Sequence, residues 1–381
     1  MKELVTPYQV METLAERMDQ AYSKKSVKTE GIIQFHLLHE GEKIDCFLKA
    51  DANELKFSPG VTINPTVTLT STLYHWLDLA AKRLHPVIGV ISGKLKFKGD
   101  TSFFARILPD DMFEMDIGPY ADPVTPFEKN PHRHWTPPKK AFVINASPRG
   151  REGYTDFFLK AFLKGLEKEG AEIRTCYLSE QTINRCTGCW HCWLSLTGDC
   201  IFKEEDDFET VYKGCQDADL VVLAFPLYCD GVPGALKDFF DRSISHSYPF
   251  MIEGLYKTRH PRRVKKQQAA VVFSVCGFIE MENFHAVQEH LRKISHNAHL
   301  PIVAEIFRAG AIYLYNNPLL YQKFTEILQA LEKAGEDVAR NGKVRSKYLK
   351  VITQKIDKAS NFQKMANYFW NEKIQHRKND Y

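Results

Sequence analysis

The chain has no apolar run long enough to cross a bilayer. Its longer runs, such as LVVLAF at 220–225, stop at six residues, where a spanning helix needs roughly 20. A secretion signal is also missing: the opening MKELVTPYQVMETLAERM is amphipathic, with no basic stub followed by an apolar core. A cytoplasmic location is the expectation. Nor is there a disulfide framework, because nine cysteines in 381 residues, four of them clustered, are not the spread of a secreted scaffold. In a reducing compartment such a cluster reads as metal-binding or redox-active. Strong net charge is absent too: the chain carries +4, with 26% charged and 44% apolar residues, an ordinary globular balance. At this length one core does not suffice, and two domains with an appended tail are expected.

The small positive excess is unevenly placed. Residues 341–381 hold ten Lys/Arg against three Asp/Glu, which leaves the rest of the chain slightly acidic. A basic tail can meet nucleic acid or an anionic membrane. Here Tyr348, Leu349, Ile352, Ile356, Met365, Phe369 and Trp370 interleave with the charges. That pattern favours an amphipathic helix packed on the body or on a sister subunit. No nucleic-acid partner is expected, whereas a homodimer or higher homo-oligomer is.

YADPVTPFEKNPHRHWTPPKK (120–140) carries five prolines and no hydrophobic periodicity. Residues 121–140 therefore read as a linker between a domain at 1–120 and another at 141–340, with the tail at 341–381. Upstream, Thr6 and Pro7 start a helix whose apolar face is Val10, Met11, Leu14 and Met18. Strand-like runs follow at 31–38, 43–50, 53–60 and 66–71. A helix capped by Ser71, an alternating strand at 92–100 and a short helix at TSFFARIL complete an α+β pattern. Within it, NPTVTLTSTLYHWLDLAAKRLHPVIGVISGKLKFKGD (64–100) resembles the sterol-carrier-protein type 2 domain in the order of strand, helix, proline turn and strand. The resemblance implies an apolar tunnel for acyl chains or sterols. Leu73, Trp76, Leu77, Val87, Ile88 and Ile91 are candidates to line such a cavity, or to fill an ordinary core.

Downstream, five short apolar runs alternate with helical patterns: AFVINA, EIRTCYL, ADLVVLAF, AAVVFSV and IVAEIF. This βαβ rhythm predicts an α/β doubly wound, five-stranded parallel sheet covered on both faces. Directly after the first run comes NASPRGREGYT (145–155), a small-residue loop opening a helix. Backbone N–H groups, the helix dipole and the hydroxyls of Ser147 and Thr155 would converge there on a phosphate, with Arg149 neutralising it. The spacing is neither GxGxxG nor GxxxxGK[ST], which excludes the usual dinucleotide and triphosphate fingerprints. FPLYCDGVPGALKDFFDR (225–242) and SVCGFIEMENF (274–284) follow the third and fourth strands, at the edge where such sheets bind ligands. Three loops at one edge suit an elongated, planar, phosphate-tailed ligand such as FMN.

INASPRGREGYT and FPLYCDGVPGALKDFFDR resemble the signature loops of the NADPH-dependent FMN reductase branch of the flavodoxin-like fold. By that resemblance Ser147, Arg149, Tyr154 and Thr155 hold the FMN phosphate. Pro226, Leu227, Tyr228, Gly231 and Val232 contact ribityl and isoalloxazine, and Ser274, Cys276 and Gly277 close the other side. The implied activity moves electrons between NAD(P)H, FMN and an acceptor, and the flavin does the chemistry. No residue stands out as a general acid or base.

CTGCWHCWLSLTGDC (186–200) spaces Cys186, Cys189 and Cys192 as C-x2-C-x2-C, with Cys200 following. The tight triplet resembles the core of bacterial ferredoxins, where a turning chain aims successive sulfurs at one cluster. Iron–sulfur flavoproteins of this fold show a compact motif of this kind in this loop, which implies a 4Fe-4S cluster feeding FMN and a ferredoxin-type donor. Free thiols beside the flavin, or zinc with His191, remain open alternatives. The leading expectation is an FMN oxidoreductase fused to an apolar-ligand domain. Its rival is a lipid carrier with a catalytically inactive flavodoxin-like scaffold.

Overall fold

Thr6 and Pro7 open the first helix as proline at a helix start should, with Thr6 Oγ1 accepting from Gln9 N–H at 3.3 Å. In the computed structural model, which describes residues 6–25, 28–80, 83–84, 86–107, 122–255 and 257–379, this is α1, Pro7–Tyr22. It belongs to the first of two units, Met1–Ile117 and Gly118–Tyr381. The expected boundary at residue 120 lies outside the described residues.

In the first unit β1 (Gly31–His39), β2 (Glu42–Ala50), β3 (Leu55–Pro59) and β4 (Val67–Thr72) lead into α2 (Leu73–Ala80) and α3 (Pro86–Ile91). β5 (Leu95–Gly99) and α4 (Thr101–Ile107) follow. The sheet order is β3-β2-β1-β4-β5, antiparallel except where β1 runs parallel to β4. Met11, Met18 and Tyr22 of α1 are buried with Phe35, Leu48, Leu69, Trp76 and Phe103. Two expectations are corrected here. The cap of α2 is Thr72, whose Oγ1 accepts from His75 N–H, while Ser71 is still in the strand and donates to Lys94 O. Leu73 and Trp76 are core residues, whereas Val87, Ile88 and Ile91 are exposed and lie outside the core of the described residues.

In the second unit the proline-rich segment is bound rather than free. Pro126 sits at the first position of α5 (Pro126–Lys129), where its missing N–H costs nothing, and Thr125 and Glu128 form a reciprocal capping box. Glu128 meets Arg259 at 2.6 and 3.2 Å. Asp122 meets Arg262 at 3.2 Å, and Trp135 Nε1 donates to Ala339 O at 3.0 Å. Residues 122–139 are thus a strap along this unit. Proline density excludes a long helix but not one turn with proline at its start.

The strap leads into β6 (Lys140–Asn145), α6 (Tyr154–Lys168), β7 (Glu172–Tyr177), α7 (His191–Leu194), α8 (Phe208–Asp217) and β8 (Leu220–Pro226). Then come α9 (Gly234–Arg242), β9 (Ala269–Val275), α10 (His285–Asn297), β10 (Ile302–Arg308), α11 (Ala311–Asn316) and α12 (Tyr321–Asn341). All five strands are parallel in the order β10-β9-β8-β6-β7. Counted from β6 this is 2-1-3-4-5, the flavodoxin-like doubly wound order. Phe158, Phe162, Leu166, Ile327 and Leu331 cover one face, and Phe208, Val211, Leu236, Val287 and Leu291 the other. α6 and α12 touch backbone to backbone at paired glycines. A Cβ on Gly165 would stand 1.9 Å from Glu332 O, and one on Gly335 would stand 2.1 Å from Phe162 O.

The tail is helical as expected but divided. α13 (Ser346–Ile352) and the following Ile356 join the core, whereas α14 (Ala359–Asn379) leaves Met365, Tyr368, Phe369, Trp370 and Ile374 exposed. No helix among the described residues is long and apolar enough to cross a membrane.

Candidate active site

The loop after β6 folds back on itself. Ser147 N–H donates to Asn145 Oδ1 at 3.0 Å, and Gly150, at φ +50°, donates to Ser147 O at 2.9 Å. Gly153 caps α6 without a side-chain acceptor, so the first-turn N–H groups are left to a ligand. A Cβ at Gly153 would stand 2.5 Å from Ser147 Oγ. Only glycine keeps that cradle open. Ser147 and Thr155 are both buried in it. Behind it Asp156 accepts from Tyr177 Oη at 2.9 Å and Asn145 Nδ2 at 3.2 Å, and pairs with Lys160 at 2.8 Å. Burial, reinforced by that hydrogen bond, pushes the Tyr177 phenol up to about 12, so it stays a donor. This network had only the acidic position in the first helical turn as a signal in the sequence.

After β8, Tyr228 and Gly231 exchange backbone hydrogen bonds of 3.1 and 2.9 Å around Cys229 and Asp230. Both intervening residues have positive φ, +46° and +57°. Two consecutive non-glycine residues in the left-handed region make a tight, strained turn of the kind found at ligand sites. The turn presents Tyr228, half exposed, while Leu227 and Val232 pack into the core behind it. Leu227 N–H donates to Val275 O at 2.9 Å, which ties this loop to the one after β9. In that second loop Ser274 is fully buried, and its Oγ has no partner among the described residues. Cys276 is buried and its thiol pushed up to about 11 by burial, so it is a packing and positioning group, not a thiolate. The phosphate-loop hydroxyls, the Tyr228 turn and the Ser274–Gly277 segment therefore share the carboxyl edge of β6, β8 and β9. Tyr154 stands on the first turn of α6 with Arg149 5.7 Å from its ring; that ring packs on Tyr315 at 5.3 Å, and its Oη accepts from Asn316 Nδ2 at 3.0 Å.

The cysteine loop is anchored, not loose. Trp193 Nε1 donates to Ile244 O and Ser247 O at 3.1 Å, and Arg263 reaches Cys192 O at 3.1 Å and Leu196 O at 2.8 Å. Cys186, Cys189, Cys192 and Cys200 all line one cavity of about 70 Å3, beside Trp190 and Phe202. His191 lies outside that lining. Burial, then the nearness of Cys200, Cys189 and Cys186, pushes the Cys192 thiol up. The Cys189 thiol is lowered by the N–H of His191 and the Thr187 hydroxyl. Four soft donors around one small cavity fit an iron–sulfur cubane in kind and number. Among the described residues, however, no three His, Cys, Asp or Glu groups are drawn together tightly enough to hold a metal ion.

The cavity also has a cationic wall absent from the sequence reading. Arg242 is fully buried, lines the cavity, and pairs with Asp206 at 2.5 Å while donating to Asn184 O at 3.0 Å. Its guanidinium lies 4.8 Å from the Phe208 ring and 5.3 Å from that of Phe202. Burial alone would lower its pKa, yet the Asp206 hydrogen bond and the neighbouring Cys200 raise it. The charge is permanent.

Comparison with known proteins agrees with both halves of this description. Residues 139–311 match the NADPH-dependent FMN reductase family, and residues 11–107 match the SCP-2 sterol transfer family. An iron-sulfur flavoprotein of Archaeoglobus fulgidus is 34% identical over 117 residues, covering 31% of this chain and 51% of the relative. The chain spans about half the length of that relative. Among solved structures, an FMN-dependent NADH-azoreductase from Bacillus anthracis aligns over 53% of this chain and 97% of its own, at 16% identity and a TM-score of 0.39. Sterol Carrier Protein 2 Like 2 from Aedes aegypti aligns over 27% of this chain and 96% of its own, at 24% identity and a TM-score of 0.23. One polypeptide thus carries a segment similar to the SCP-2 sterol transfer family and another similar to the NADPH-dependent FMN reductase family.

Proposed function

We propose that the chain is an FMN-dependent oxidoreductase that takes electrons from NAD(P)H or a ferredoxin-type donor and passes them to a second acceptor. The observation that carries this reading is the shared sheet edge: an open glycine–serine cradle, the strained Tyr228 turn, and the buried, unpartnered Ser274 hydroxyl. FMN, when bound, supplies the hydride and electron chemistry. Ser147, Thr155 and the first-turn N–H groups of α6 hold its phosphate, with Arg149 supplying positive charge. Pro226, Leu227, Tyr228, Gly231 and Val232 orient the ribityl chain and ring, and Ser274, Cys276 and Gly277 shield the opposite side from water.

Cys186, Cys189, Cys192 and Cys200 are the ligands of a 4Fe-4S cluster in this reading, which would relay single electrons to the flavin edge. The common cavity and the fixed positive charge of Arg242 support it. The exposed apolar residues of α14 support a homodimer. The first unit would present an apolar ligand to the flavin unit or tether it near lipid.

The lipid-carrier alternative draws on the exposed Val87, Ile88, Val90 and Ile91 of α3. The two readings separate in one preparation. NAD(P)H oxidation is measured with and without bound lipid, after FMN reconstitution. Turnover with retained FMN supports the oxidoreductase; lipid binding by a protein that takes up no FMN supports the carrier.

A further inference from the structure

Between α9 and β9 the chain folds back on itself. Ser247 bridges to Arg262 and Ile252 to Arg259, both antiparallel. Tyr248 N–H donates to Pro261 O at 2.9 Å and Arg263 N–H to His246 O at 3.1 Å, which closes the base of this hairpin. Neighbouring residues of an extended chain face opposite ways. Arg262 and Arg263 accordingly reach different parts of the second unit.

On one side the hairpin grips the strap. Arg262 Nε donates to Asp122 at 3.2 Å and its Nη1 to Lys266 O at 2.8 Å, while Arg259 holds Glu128 at 2.6 and 3.2 Å. His299 stands between the two carboxylates, 3.3 Å from Asp122 and 3.5 Å from Glu128, and its other ring nitrogen meets His260 O at 2.7 Å. Asp122, Glu128, Arg259 and His299 are all buried. Salt screens such a cluster far less than a surface pair.

On the other side Arg263 holds the cysteine loop. It gives Nε to Ser245 O at 2.8 Å, Nη1 to Leu196 O at 2.8 Å and Nη2 to Cys192 O at 3.1 Å. The Tyr248 ring lies 4.3 Å from the guanidinium. One planar fork thus fixes three backbone carbonyls at once, which a lysine cannot do. Gly198, at φ +85°, makes the room: a Cβ there would stand 2.7 Å from Arg263 Nε and 2.9 Å from Ser245 O. Its N–H is the second donor to Cys192 O, at 3.1 Å. Trp193, the next residue, gives Nε1 to Ser247 O at 3.1 Å and sets its ring 4.7 Å from that of His260. Cys192 is the buried member of the four cysteines.

We propose that Arg263 is the positioning residue that fixes Cys192 in the four-cysteine cavity, and that the strap holds it there through Arg262 and Arg259. The inference rests on the cluster reading only for what the cavity carries. The full chain, reduced and freed of iron with a chelator, is treated with iodoacetamide under native conditions, and each cysteine is scored by peptide mass spectrometry. Arg263→Met should speed alkylation of Cys192 at least about tenfold, as expected when carbonyl bonds from a charged donor are lost. The buried Cys46 and Cys276 should keep their rates. Asp122→Asn, which preserves the side-chain shape, should speed Cys192 several-fold, and it carries the test if Arg263→Met does not fold. The double variant should be no faster than Arg263→Met, because the strap acts through Arg263. In iron-loaded protein the variants should release iron to a ferrous chelator in the same order. An unchanged Cys192 in either single variant overturns the proposal, as does a rise shared equally by Cys46 and Cys276, or additivity in the double variant. A preparation that never holds iron refutes the cluster reading and leaves this one to be decided by alkylation.

Discussion

Arg242→Met is the sharpest perturbation of the cysteine cavity. Methionine matches much of the arginine stem but removes the guanidinium from a position with no solvent exposure. Asp206, equally buried, loses a partner at 2.5 Å and keeps only the backbone N–H groups of Asn184 and Phe208, at 2.9 and 3.1 Å. Breaking a buried pair on one side costs about 3–5 kcal/mol, because the surviving charge is left uncompensated. The two retained N–H bonds place the expected loss toward the lower end, ~3 kcal/mol. That is a drop of about two decades in the folding equilibrium. Urea unfolding, followed by hydrogen exchange of amides in β8 and β9, measures it. Arg242→Met/Asp206→Asn should recover part of the loss, since the orphaned charge is gone. A single variant within ~0.5 kcal/mol of the parent would refute the claim that this pair secures the floor of the cavity.

Other outcomes follow from the same geometry. Gly335→Ala forces a methyl group toward Phe162 O across the α6–α12 contact and should cost about 1–3 kcal/mol, read from the urea midpoint. Ser147→Ala removes one donor from the cradle and should weaken FMN binding about tenfold, or ~1.4 kcal/mol, measured by flavin fluorescence quenching. Burial alone would raise the Glu128 pKa, but His299 beside it at 3.5 Å and hydrogen bonds from Arg259 and from Thr125 N–H hold it well below the ordinary 4.5. A depressed folded pKa stabilises above the unfolded value and is lost as pH falls below it. Stability of the second unit should therefore decline as pH drops below 4.5, and Glu128→Gln should lower it at neutral pH while flattening that acid limb.

Much of the second unit was legible because a parallel sheet covered on both faces needs uninterrupted apolar strands. LVVLAF and AAVVFSV admit little else. The turn after β6 was legible for a local reason, since serine, glycine and a helix start within eleven residues bend the chain there by themselves. The strap was not. Its partners Arg259, Arg262 and Ala339 lie more than a hundred residues away, and no local pattern announces them. Arg242 was hidden in the same way, 36 residues from Asp206. In the first unit the resemblance to a lipid-binding domain suggested Val87, Ile88 and Ile91 as cavity lining or ordinary core, and they are exposed on α3. Periodicity shows that residues share a face, not whether that face turns inward.

The central claim is a flavin at the edge of the parallel sheet, with a cluster at the four cysteines. The protein should be purified anaerobically, its visible spectrum recorded, and bound FMN, iron and acid-labile sulfide quantified per chain. The expected result is one FMN per chain with four iron and four sulfide, bleached by reductant. A yellow, iron-free protein would remove the cluster, and a colourless protein that FMN cannot reconstitute would contradict the account.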